Sequence, residues 1–482
     1  MPALQETHTD SSNQYQDWSD ENDPSDPRNW STSRKVLTTV ICCLIGFITT
    51  MAASIYAPGT EQVQADFGVS STVSILPLST YTLGLAFGPV ISSPLSETFG
   101  RKAVFVLTLP LFDVFVVGSG LSRSIGSLIT CRFFAGLFAA PGVSVTAATI
   151  ADCLPPSSRA VPLAIYYSVP FMGSALGPLV GGFAVQSRGW RWTCWAVLLP
   201  AALIHPSALF LRESYKATIL RRRARAHGVA ALPGSHQTFR QALSKLATST
   251  IIRPLHMLGT EPLVGFICLY TGFQFALLYT FVVTTPWVLR KVYGFSPSGQ
   301  NLSFLGLVTG CLVASCVLIL VDRFFYQPRY KQLQAAREQA VGRPELPPET
   351  KLLAALYGSL MLPTGLFWFA WSTRPSVHWI NSIIAQAVIM LGSLLIYVPC
   401  SFFMLDVYGS KYGASSSGAS SLSRYTLSAA FPLFVTQMYE RLGVDWGSSL
   451  LGFLALAMAP IPWLFSRFGP ALRARSAYEH GT

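Results

Sequence analysis

Apolar residues in this chain do not alternate with polar ones, as in a half-buried strand. Nor do they form the one-sided stripe of a surface helix. They arrive in unbroken runs separated by short polar connectors. A helix needs about 20 such residues to cross a hydrocarbon core about 30 Å thick. Twelve runs meet that length: 36–57, 73–94, 103–122, 126–150, 161–184, 192–211, 262–289, 300–321, 351–371, 377–405, 414–440 and 446–468. Lipid offers no partner to an open strand's backbone, and a barrel strand would alternate, so each run is predicted to be a helix. The pattern predicts an all-α membrane protein of twelve spans, six in 36–211 and six in 262–468. A polar segment, 212–261, joins the halves, and polar tails, 1–35 and 469–482, flank them.

Composition sharpens this picture. Of 482 residues, 51% are hydrophobic and 12% charged, about half the charged share of soluble domains. The N-terminal tail is acidic, with Asp10, Asp17, Asp20, Glu21, Asp23 and Asp26. It has little apolar surface to offset the entropy of ordering, so it is expected to be mostly disordered. No cleavable signal peptide is expected ahead of the first run.

The net charge of +12 does not point to nucleic acid, because the basic residues sit in connectors. Segment 212–261 holds Arg212, Lys216, Arg221, Arg222, Arg223, Arg225, Arg240, Lys245 and Arg253. The connector after the eighth run holds Arg323, Arg329, Lys331, Arg337 and Arg343, and the C-terminal end holds Arg467, Arg473 and Arg475. The alternate connectors are poor in both residues. Lys and Arg mark the cytoplasmic side, so both termini are expected there. The stretch RRRARAHG reads as a topology anchor or as an amphipathic helix on the anionic inner leaflet.

Candidate chemistry is sparse. The nine cysteines lie in or beside apolar runs with no C-x-x-C, which suits small packing residues. The seven histidines make no metal-ligand spacing, and no P-loop is present. No cofactor, metal or enzymatic centre is expected. What remains are charges inside runs, each costing about 2.5–3.5 kcal/mol on insertion scales and therefore a functional candidate. Arg132 lies about two turns inside the fourth run, where it should face a cavity and pair with an acceptor. Arg424 in the eleventh run is similar. Asp113, in the third, is either a proton carrier or a hydrogen-bond partner for a neighbour. Asp406 ends the tenth run as a cap or pair, and His205 reads as a satisfied core histidine.

Ordered motifs go further. The connector after the second run reads SPLSETFGRKAVF, with Glu97, Gly100, Arg101 and Lys102. The fourth run contains CRFFAGLFAA, and the fifth GSALGPLVGG with Gly173, Gly177, Pro178, Gly181 and Gly182. The first of these resembles the cytoplasmic signature of the major facilitator superfamily, with Ser93 and Glu97 where Gly and Asp are common. The second is similar to that family's Arg–Gly pattern, with Ala135 and Phe138 as departures. The third is similar to its antiporter motif. DPRNW, DCLPPSSR, WRWTCW, RESYKATILRRR, TEP, LFWFAW and SRYTLSAAFPLF, in that order, resemble the fungal twelve-span drug:proton antiporter branch.

The resemblance implies the major facilitator fold, two six-helix bundles around one pocket, acting as a monomer. It implies a gating network of Glu97, Arg101 and Lys102, completed by Asp152 and Arg159 and echoed by Asp322 and Arg323. Small-residue faces allow close helix approach in lipid. The stripe Gly173, Gly177, Gly181 has a counterpart in Gly306, Gly310 and Ala314, as Gly84 and Gly88 have in Ala414 and Gly418. The resemblance makes these the seams between halves about which the bundles rock; ordinary close packing needs the same residues. Spans 1, 4, 7 and 10 line the cavity in that family, which offers Gln274, Tyr279, Gln386 and Tyr397 for substrate contact.

The function expected is proton-coupled efflux of drugs, toxins or a secondary metabolite across the plasma membrane, or the vacuolar one. A polyamine exporter is the alternative, weakened because LLYTFVVTTPWV carries no acid before Pro286. A membrane enzyme, channel or sensor is the reading from a different class.

Overall fold

The structure, a computed structural model, describes residues 17–20, 22–155, 158–227, 252–329, 332, 347–474, 476 and 478. Among them the regular structure is helical, without strands. Crossing helices fall on the apolar runs: Thr32–Ser54, Ser71–Phe99, Arg101–Gly120, Ile125–Cys153, Ala160–Arg188 and Trp192–Phe210 are spans 1 to 6. Pro262–Tyr293, Pro297–Arg329, Pro348–Ser372 and Ile380–Gly409 are spans 7 to 10. The last apolar stretch, Ser415–Arg473, is 59 residues long, about 88 Å as a helix at 1.5 Å per residue. That is far too long for one crossing. It turns at Gly443, where φ is +78°, a conformation that costs glycine nothing and other residues strain. Spans 11 and 12 lie on either side.

Lipid acts as the solvent for the outside of this barrel of helices. Leu203 is 81% exposed and Phe210 79%, which in water would be a large apolar patch and in a bilayer is the surface that matches acyl chains. Inside, the largest fully buried side chains are aromatic, among them Tyr56, Tyr81, Tyr279, Tyr397 and Tyr425.

Two expectations change here. Part of the N-terminal tail is ordered: residues 17–20 and 22–31 fold onto the basic helix Lys216–Ala226. The Asp23 carboxylate accepts two hydrogen bonds from the Arg223 guanidinium, at 2.8 and 2.9 Å. Arg223 also donates to the hydroxyls of Ser19 and Ser25, and Lys216 pairs with Asp17 at 2.5 Å. A fork-shaped guanidinium meeting a carboxylate supplies what the tail lacks in apolar burial. Accordingly, Arg223 holds the Asp23 carboxyl well below the usual carboxylate range, against the opposing push of burial. The RRRARAHG stretch is thus a docked helix. Of the basic residues noted above, Arg240, Lys245, Lys331, Arg337, Arg343 and Arg475 lie outside the described residues.

The glycine stripes also point elsewhere. A Cβ on Gly173, Gly177 or Gly181 would strike Thr50, Ser54 or Ile55 of span 1, and one on Gly306 or Gly310 would strike Ile383 or Ala387 of span 10. Gly84 and Gly88 meet Phe133 and Ala140 of span 4, and Gly418 faces Pro254, while the side chain of Ala414 lies outside the described set. These glycines of spans 2, 5 and 8 pack within their own half, although span 2 also meets span 11 across the halves, as Gln437 bonded to Thr72 shows. A small-residue stripe records only that some backbone comes close; helix tilt decides which. Pro178 sits buried in span 5 beside this stripe. Span 5 does run along span 8, but the close approach there is Gly182 against Asn301.

Candidate functional site

The face carrying the termini is braced differently in each half. In the first, span 3 begins at Arg101, and its free backbone N–H donates to the Glu213 carboxylate at 2.8 Å. Helix N-termini attract negative charge, so an acid placed there suits the dipole. Ser214 and Tyr215 donate to the same oxygen, at 3.1 and 3.0 Å. Gly100 has φ +102°, and a Cβ on it would overlap the Glu213 carboxylate, so this position needs glycine twice over. The Arg101 guanidinium pairs with Asp152 at 3.2 Å, donates to Ser96 at 2.6 Å and stacks on Tyr215 at 4.8 Å. Lys102 donates to the Leu209 carbonyl at 2.6 Å.

The acid at the centre is therefore Glu213, not Glu97, which is exposed at the end of span 2. Its sequence separation from Arg101 hides it, although the lone acid in RESYKATILRRR after span 6 was visible. Arg159 does not join Arg101 and Asp152; it reaches across to Asp406 of the second half, at 3.8 Å. Nor do Asp322 and Arg323 reproduce the first half's brace. Asp322 is buried and accepts from Gln327 at 3.2 Å, while Arg323 is exposed. The second half is braced instead by Arg473 on Glu349 at 2.8 Å, and by Lys351 on Asp406.

At the opposite face the halves meet again. Arg290 of span 7 pairs with Glu61 at 2.9 Å, and Ser298 donates to Gln186 at 3.0 Å. Between the two faces lies an aromatic core. Phe171 of span 5 sits 4.3 Å from Phe275 of span 7 and 5.2 Å from Tyr397 of span 10, centroid to centroid. Tyr167 stands edge-on to Tyr397 and Phe402, at 6.0 and 5.6 Å. The hydroxyls of Ser174 and Tyr279 are 3.4 Å apart across the same boundary. The bundles thus touch through rings at the centre and through polar latches at each end.

Each half buries one arginine against aromatic rings, and that of the second half meets this core. Arg132 is 2% exposed, donates to the Ala52 carbonyl at 2.8 Å, and lies over the rings of Tyr56 and Tyr81 at 4.9 and 5.4 Å. Arg424 is 5% exposed, donates to the Tyr397 hydroxyl and, at 3.2 Å, to Ser421, and lies within 5.3 Å of Phe275, Tyr397 and Tyr425. Of the polar positions expected to meet substrate, Tyr279 and Tyr397 belong to this core. Gln274 donates to the Tyr270 carbonyl at 3.2 Å, leaving its own oxygen without a partner. Gln386 lies two turns inside span 10, fully buried, with neither amide atom bonded. Asp113 is apart from the core: its carboxylate meets Nδ1 of His205 at 3.0 Å, on spans 3 and 6. Among the described residues no group of histidine, cysteine or acid side chains could hold a metal ion.

Comparisons with known proteins fit this architecture. The chain is 34% identical over 96% of its length to Polyamine transporter 4 of Saccharomyces cerevisiae, 73% of which is covered. It is 36% identical over 94% of its length to Efflux pump FUBT of Fusarium oxysporum, 76% of which is covered. A structure of the proton:xylose symporter XylE superposes over 91% of this chain and 97% of its own, with a TM-score of 0.66 at 16% identity, a likeness of fold. The family profile of the Major Facilitator Superfamily matches residues 42–432. With twelve spans in two halves meeting around a ring-lined centre, the chain belongs to the major facilitator superfamily, as a secondary transporter and not an enzyme.

Proposed function

We propose that this transporter exports a small, partly apolar drug, toxin or secondary metabolite by exposing its aromatic core to each side of the membrane in turn, driven by protons. One observation carries the reading: the halves are latched at both faces by separate polar contacts, Glu61–Arg290 and Arg159–Asp406, with a shared core between them. Opening one latch while keeping the other converts the closed arrangement into either open form. The Lys and Arg distribution supports placing both termini in the cytosol, so Arg159, Asp406 and Lys351 form the inner latch. Arg101, Lys102, Gly100, Asp152 and Glu213 stiffen the inner end of the first half. Clearing a solute from the cell places the protein in the plasma membrane.

Two sites divide the coupling. Arg132 and Arg424 sense the solute at the core. Asp113 with His205 is a carboxylate–imidazole pair in direct contact inside the spans, away from the core, so it is our proton carrier. In vesicles containing the purified protein, an imposed pH gradient should drive solute movement. Asp113→Asn should abolish gradient-driven transport while leaving solute exchange intact; loss of neither, or of both together, contradicts this assignment.

A second reading, polycation export, is favoured by the relative named as a polyamine transporter. Against it stands the core itself, where the charges are two guanidinium groups.

A further inference from the structure

Five acidic side chains within or at the ends of the spans have partners, and none of these partners is one of the two central arginines. Asp152 holds Arg101, Asp406 holds Lys351 and Arg159, Glu349 holds Arg473, Asp113 holds His205, and Asp322 is bonded by Gln327. Arg132 and Arg424 make no ion pair among the described residues. An arginine does not shed its charge inside a protein, because its guanidinium is too strong a base to be deprotonated there. Two fixed positive charges therefore sit buried inside the spans, with no ion-pair partner among the described residues.

What the protein does supply is partial. Ring faces attract a guanidinium through their quadrupole, yet they carry no net charge and accept no strong hydrogen bond. Arg132 uses NH1 on Ala52, while its Nε and NH2 are buried without acceptors; the Nε of Arg424 is likewise buried and unbonded. Buried donors normally find partners, and those that do not require an explanation. An arginine kept only for structure would spend its donors on backbone carbonyls or a carboxylate. Arg132 keeps its Nε and NH2, and Arg424 its Nε, free of acceptors beside aromatic rings, which leaves N–H groups for an arriving oxyanion.

We infer that the solute recognised at the core is an organic anion, a compound with a planar apolar body and a carboxylate or comparable oxyanion, engaged by Arg132 and Arg424. The inference rests on the transport reading above and names its substrate class. The rings of Phe275, Tyr397 and Tyr425 take the apolar body, and the guanidinium groups take the charge. A neutral solute would satisfy the donors but not the charge. A polycation would face both arginines with no carboxylate in the core to receive it. Because Tyr397 contacts Phe171 of the other half, an anion drawn to Arg424 also alters the contact between bundles.

The test uses three probes sharing one ring system: 1-naphthoate, 1-naphthamide and 1-naphthylmethylammonium. Thermal unfolding of the full-length protein in detergent reads binding, and proton-driven uptake into vesicles reads transport. Naphthoate should raise the melting temperature well above either of the others. Arg424→Gln should weaken naphthoate at least tenfold and leave the amide unchanged, with Arg424→Lys in between; Arg132→Gln should do the same to a smaller degree. A variant that merely fails to fold would lose all three probes together, and its elution as a single species checks for that. Equal or stronger stabilisation by the ammonium or the amide overturns the inference, as does stabilisation by none. Naphthoate that binds and depends on Arg424 but is never moved by a proton gradient leaves the charge assignment standing and sinks the export reading.

Discussion

Both halves bury an arginine against tyrosines, but they hold it in different ways. Arg132 belongs wholly to its own bundle: its acceptor is the Ala52 carbonyl of span 1, and its rings come from Tyr56 and Tyr81. Arg424 is held by Tyr397, and Tyr397 touches Phe171 of the opposite bundle. The first cage should travel as a unit when the halves move, while the second is remade. On the proposed reading, a solute's arrival at Arg424 is felt by the interface, while Arg132 is a fixed contact. The intrabundle glycine seams fit this division, since close backbone packing makes each half stiff and leaves motion to the ring contacts between them.

The largest expected effect is on Arg424. Hydrogen bonds to a charged group contribute about 1.5–3 kcal/mol, so Arg424→Ala should lower transport by roughly 10- to 100-fold. Arg132→Ala should also lower it, but without changing how readily labels reach the inner latch; a change there would erase the distinction between the cages. Next is Phe171→Ala, which removes ring contacts worth about 0.5–1.5 kcal/mol each. Transport measured in vesicles should fall several-fold while solute affinity holds. Asp406→Asn breaks an ion pair that is worth at most about 1 kcal/mol near the surface. It should raise labelling of a cysteine at Ser158 by a factor of a few.

The smallest effect is one of pH. The Asp23 carboxyl is depressed by Arg223, so its contribution to tail docking is full above the ordinary carboxylate range, about pH 4, and fades only as pH falls towards the depressed value. Protease protection of residues 17–31 should therefore be unchanged between pH 8 and pH 5, and lost in Arg223→Ala at either pH.

Much of this was legible in the chain because two signals are one-dimensional. Apolar runs count spans, and a charge inside a run marks a polar group that needs a partner, which is how Arg132, Arg424 and Asp113 stand out. Pairings between distant segments were not legible. Gly173 and Gly177 announce a close neighbour without naming span 1, and Glu97 lies nearer to Arg101 in sequence than Glu213 does. Nothing local tells Arg159 to choose Asp406 over Asp152, since both are acids at the ends of spans. The docking of Asp23 was not legible because its partner, Arg223, lies about 200 residues away, and composition cannot see a complementary charge.

The central claim is that the two faces open in alternation around a core that never loses contact at both ends. Spin-label distances test it most directly, with one pair at Ser158 and Thr350 on the termini face and another at Gln64 and Lys291 on the opposite face. The account predicts two populations in which one pair is long while the other is short, exchanging when solute or a pH gradient is applied. A population with both pairs long, or two pairs that vary independently, would contradict it.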